Sequence, residues 1–73
     1  MNIETEKLFL RRIAASWGNK RNIGGFNEEE RVQLQAMRIQ GKVHTTEMDG
    51  STWVMLTELG QARLYELNGI PNN

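Results

Sequence analysis

Residues 42–56 read Lys42-Val-His-Thr-Thr-Glu-Met-Asp49-Gly50-Ser-Thr-Trp-Val-Met-Leu56. Two runs rich in Val, Thr and Trp flank Asp49-Gly50, the pair that suits a two-residue type I′ turn with positive φ at both positions. The stretch predicts a β-hairpin, and the turn sets its register. Met48 falls opposite Ser51, Thr46 opposite Trp53, His44 opposite Met55 and Val43 opposite Leu56. One face then carries Val43, Thr45, Val54 and Leu56, which suit a core. The other carries His44, Thr46, Trp53 and Met55. A lone hairpin is marginal in water, so helices must cover one face.

Working outward, Thr57 is an N-cap for a helix over 58–68, with Gly69 as its stop and Pro71 beyond. Leu59, Ala62, Leu64 and Leu67 supply its apolar contacts. Gly60 inside that helix costs about 1 kcal/mol relative to alanine, which points to something packed closely on the backbone. Upstream, Asn27 and Glu30 have capping-box spacing for a helix over 28–40 that ends at Gly41. Leu34 and Met37 lie on one of its sides. Val32, Ala36 and Ile39 lie nearly opposite, with Arg31, Gln35 and Arg38 running between. A helix apolar on two sides is either sandwiched within its domain or offers one side to a partner.

The first helix is expected over 5–17, with Leu10, Ile13, Ala14 and Trp17 on one face and Ile3 and Phe9 flanking it. Thr5 is its expected N-cap, Glu6 suits the first turn and Gly18 is its stop. Leu8 lies off that stripe. Residues 18–27 are rich in Gly and Asn and read as a loop, pinned by Ile23 and Phe26. The Gly24-Gly25 pair follows Lys20 and Arg21 without phosphate-loop spacing. Residues 69–73 read as a frayed tail.

Seventy-three residues hold one domain. A core of this size is marginal, so oligomerisation or a partner chain would help it. The absence of cysteine removes disulfides and thiolate metal sites, and His44, the single histidine, makes a zinc site unfavourable. No metal or other cofactor and no small-molecule substrate is expected. No apolar run reaches the roughly 20 residues of a membrane span. Glu4 and Glu6 break any signal pattern, so a cytoplasmic location is expected. Ser16 or Ser51 would need His44 and a carboxylate to act as a nucleophile, and Glu28, Glu29 and Glu30 read as a solvated helix start. The chain is therefore expected not to be an enzyme. The nine basic and nine acidic residues cancel, but unevenly. Residues 1–43 carry a net +3 and residues 44–73 a net −3.

The second half has a recognisable arrangement. Leu34 and Met37 stand seven and four residues before Gly41, with Val43 just after it. The Asp49-Gly50 turn follows, and then Met55-Leu-Thr-Glu-Leu-Gly60-Gln-Ala-Arg-Leu64 with its Leu-Thr-x-x-Gly junction. On these residues the chain, over about 28–68, resembles winged helix-turn-helix domains of the broad MarR/PadR-like class. The resemblance implies a small α+β, winged-helix-like domain: helix, loop, helix, β-hairpin wing, C-terminal helix. It also implies double-stranded DNA as partner, with the second helix as recognition helix. That family has a full helix before the recognition helix, where residues 18–27 here carry a glycine-broken loop. Either the motif is degenerate or the first helix substitutes.

Two functional expectations follow. As a DNA-binding accessory regulator, the chain would use Arg31, Gln35 and Arg38 toward base edges. Lys20, Arg21, Lys42, His44 and Thr46 would contact phosphates. The three consecutive glutamates oppose a phosphate backbone. As a protein-interaction module, homodimeric or partner-binding, it would use Leu8, Val32, Ala36, Ile39, Trp53 and Met55. Its size and lack of an appended ligand domain suit a bacterial or phage accessory protein.

Overall fold

The computed structural model describes residues 2–69, without the side chain of Trp17. The expected role of Trp17 in the first apolar stripe, and the expected tail beyond Gly69, lie outside the described residues. The protein is α+β: α1 (Ile3–Ala14), β1 (Lys20–Asn22), α2 (Glu28–Ile39), β2 (Val43–Met48), β3 (Ser51–Leu56) and α3 (Glu58–Asn68). The strands form one antiparallel sheet in the order β1-β3-β2. This layout is compatible with a winged-helix-like arrangement. Among the described residues, no helix is long and apolar enough to cross a membrane.

The hairpin has the predicted register at every pair from Val43–Leu56 to Met48–Ser51. Asp49 and Gly50 have φ of 54° and 75°, as a type I′ turn requires. On the inner face Val43 and Val54 are buried and Leu56 is half-buried. Thr45, expected on the core side, is exposed. It sits on β2, an edge strand of the sheet.

Three expectations are corrected at the N-terminal end. α1 begins two residues early, because Asn2 rather than Thr5 is its N-cap: Asn2 Oδ1 accepts from the Thr5 amide at 2.7 Å. The helix also ends at Ala14 instead of reaching residue 17. Ser16 Oγ donates to the Arg12 carbonyl at 2.7 Å, and the chain turns through a short 3₁₀ turn, Trp17–Asn19, with Gly18 and Asn19 at positive φ. Within the expected loop 18–27, Lys20–Asn22 forms β1, which pairs with β3 and turns the hairpin into a three-stranded sheet. Lys-Arg-Asn has little strand propensity; the open edge of β3 recruits it. A second 3₁₀ turn, Ile23–Gly25, then stands where a winged helix has its middle helix. Phe26 beyond it is buried, as expected, and Ile23 is half-buried.

The core joins Phe9, Leu10 and Ile13 of α1, Phe26 ahead of α2, Leu34 and Met37 of α2, Val43 and Val54 of the sheet, and Leu67 of α3. Phe9 and Phe26 stack with ring centroids 6.0 Å apart. The Arg12 guanidinium lies 4.5 Å from the Phe26 centroid. α3 contributes less than its composition suggested, since Leu59 and Ala62 are exposed. Gly69 caps it in a right-handed conformation rather than the left-handed one of a glycine stop.

Gly60 has the close neighbour its position implied. A Cβ built there would stand 1.9 Å from the Lys42 carbonyl oxygen. Thr57 caps α3 by accepting from the Gly60 amide at 3.0 Å, and its hydroxyl donates to the Gly41 carbonyl. The end of β3, the start of α3 and the entry to β2 are thus locked together. Replacing Gly60 by Ala favours the helix by about 1 kcal/mol. The clash is with backbone, so it outweighs that gain. Gly60→Ala is expected to lower stability by about 2–3 kcal/mol in urea unfolding.

Candidate functional site

α2 is held firmly at both ends. Asn27 Oδ1 accepts from the Glu30 amide at 2.8 Å, and Glu30 Oε1 accepts from the Asn27 amide at 2.9 Å, completing the capping box. At the other end Gly41 (φ 78°) donates to the Arg38 carbonyl and Lys42 donates to the Met37 carbonyl, both at 3.0 Å. This is the Schellman arrangement that lets a helix stop and the chain reverse. Leu34 and Met37 are buried beneath.

The side of α2 directly away from Leu34 and Met37 is apolar and open. Val32 is 70% exposed and Ile39 76% exposed, and Ala36 between them is exposed. Of the two arrangements open to a helix apolar on two sides, α2 therefore offers its second side to solvent. Arg31, Gln35 and Arg38 run along one flank and are also exposed. Arg31 Nε donates to the Phe26 carbonyl, and Arg38 Nε to Gln35 Oε1, both at 3.1 Å. Glu28 and Glu29 are exposed at the first turn, while Glu30 pairs with Arg12 at 2.6 Å. Hydrogen bonds from the Asn27 backbone and then Arg12 lower the Glu30 pKa.

The remaining expected residues divide. Lys20, His44 and Thr46 share the outer sheet face with Trp53 and Met55, as the register requires. Lys20 Nζ lies 5.9 Å from the Trp53 ring centroid, and Trp53 and Met55 are half-buried. Arg21 belongs to the opposite, inner face, opposite Val54. Its guanidinium lies 5.7 Å from the Phe26 centroid and donates to Ser16 Oγ at 3.3 Å. Its Nε is buried with no hydrogen-bond partner among the described residues. Lys42 is also withdrawn: its ammonium sits 2.5 Å from Glu6 Oε2. Two of the five residues expected at phosphates, Arg21 and Lys42, are therefore engaged in holding the fold. Leu8 is 60% exposed on α1.

Glu6 is the structural residue that composition and motif reading passed over. It is buried at 6% exposure and held by Lys42 and by Arg63, whose Nη2 and Nε lie 3.1 and 3.2 Å from its two oxygens. Its one sequence signal was position, since Glu6 falls on the same side of α1 as Leu10 and Ile13. Burial alone would raise its pKa. The hydrogen bonds and charges of Arg63 and Lys42 prevail and hold it below the ordinary carboxylate value of 4.5. Glu6 and Glu66 in turn raise the Arg63 pKa.

Comparison with family models, with curated proteins and with solved structures finds no match to this chain.

A carboxylate whose native pKa is lowered stabilises the fold fully above its unfolded pKa. That contribution is lost as pH falls through the native value. Melting temperature is therefore expected to fall as the pH drops below about 4.5. Glu6→Gln should melt lower at pH 7, by roughly 2 kcal/mol of stability, since it strands Lys42 and leaves Arg63 with Glu66 alone. Its melting temperature should also depend less on acid. Equal acid sensitivity in both proteins would show that other carboxylates dominate.

Proposed function

We propose that this chain is a small, non-enzymatic, cytoplasmic protein-interaction domain on a winged-helix-like frame, and that the exposed side of α2 is its contact surface. The ridge Val32–Ala36–Ile39 carries this reading, with its two large β-branched side chains 70% and 76% exposed on a rigidly capped helix. Covering a side chain of this kind contributes about 1.5–3 kcal/mol. Bulky apolar residues lined up on one exposed helix are an interface feature rather than random surface. The charges agree: two of the eight cations and polar groups expected at DNA hold the core, and the first turn of α2 presents Glu28 and Glu29.

One observation favours the second reading, DNA binding. Arg31, Gln35 and Arg38 form an exposed polar stripe beside the ridge, the residue types that grip guanine and adenine edges. A photo-crosslinking amino acid placed at position 32 or 39, with position 4 as control, separates the two in the native cell. The expected result is protein adducts from 32 and 39 and none from 4. Adducts to nucleic acid alone would establish the DNA reading, provided salt-sensitive duplex binding disappears when Arg31 and Arg38 are both changed to Ala.

A further inference from the structure

We infer that the partner covering the α2 ridge is a second copy of this chain, packed antiparallel, α2 against α2, across a two-fold axis between Gln35 and Ala36. The inference rests on the reading of α2 as a protein contact. Its own basis is the order of charge and size along the helix. Glu28 and Glu29 stand exposed at the first turn, Val32, Ala36 and Ile39 follow, and Arg38 is exposed in the last turn. Val32 and Ile39 are about 10 Å apart along the axis. An antiparallel copy places Val32 of each chain on Ile39 of the other. Ala36, the smallest residue of the ridge, falls beside the axis, where close approach of two helices needs a small side chain.

The ends decide the direction. Antiparallel packing sets Glu28 of one copy on the same flank of the seam as Arg38 of the other, about 7.5 Å away along the axis, twice, while Glu29 lies on the opposite flank. Parallel packing would set glutamates against glutamates and arginine against arginine, and would align the helix dipoles unfavourably. Glu30 does not enter this balance, because Arg12 of its own chain holds it. An isologous contact of this kind is the simplest way for a small chain to cover an apolar ridge. One 12-residue helix from each copy buries less than the roughly 1,200 Å² of a standard interface, so dissociation is expected on the order of tens of micromolar. The contact covers Val32, Ala36 and Ile39 and sets the second copy against Gln35, so a dimer formed this way cannot lay this side of α2 in a DNA groove.

Sedimentation of the full chain from about 1 µM to 1 mM tests this, a range that brackets the expected dissociation constant. The wild type should pass from monomer to dimer across the range. Ile39→Glu, at an exposed position, should remain monomeric with an unchanged circular dichroism spectrum. Arg38→Glu alone, and Glu28→Lys with Glu29→Lys alone, should each weaken the dimer by about tenfold or more. An equimolar mixture of those two variants should dimerise again, because each supplies the charge the other lacks. A wild type that stays monomeric at 1 mM overturns the inference. In that case crosslinks from position 32 or 39 to a different protein would still support α2 as a contact surface. A dimer indifferent to Ile39→Glu also overturns it, as does failure of the mixture to restore association.

Discussion

Lys42 is the residue on which the rest of the structure depends, and it does so through every polar group it has. Its amide closes the C-terminal cap of α2 on the Met37 carbonyl. Its carbonyl accepts from the Thr57 amide at 3.1 Å and lies against Gly60, so α3 starts where β2 begins. Its ammonium reaches the buried carboxylate of α1. Four elements are thus referred to one position, with Glu6 answered by a second cation from α3. In a chain with a small core, polar contacts that are fully satisfied define the arrangement as much as apolar burial does.

The parts legible in the sequence were those governed by neighbours in the chain. Asp49-Gly50 and the alternation around it are local, and the register followed from them residue by residue. The same holds for the Asn27–Glu30 capping box, the Gly41 stop and the Thr57 cap. Gly60 was legible because a glycine inside a helix asks for a reason. β1 was not legible, because Lys-Arg-Asn pairs only once β3 exists to offer an edge 31–35 positions away. Glu6 was visible as a charge on an apolar stripe, but its partners lie 36 and 57 positions further on.

The candidate surface was half legible. Periodicity showed that α2 has two apolar sides, and composition alone could not say which the domain covers. The answer came from packing: Leu34 and Met37 face the core, and Val32 and Ile39 are left 70% and 76% exposed. The basic residues were harder still. A lysine and an arginine counted as free positive charge in the sequence are neutralised or stacked within the fold, at Glu6 and Phe26. Lys42 is thus withdrawn from the surface, and through Glu6 and Arg63 the two ends of the chain share charge between them.

That sharing has a mechanical side. The Glu6–Arg63 pair joins the first helix to the last across 57 positions, and α1 and α3 pack on one another. Force applied through the two ends of the chain would reach this junction before the hairpin or α2. That charged clasp, with the α1–α3 packing behind it, stands first in the path of such a load.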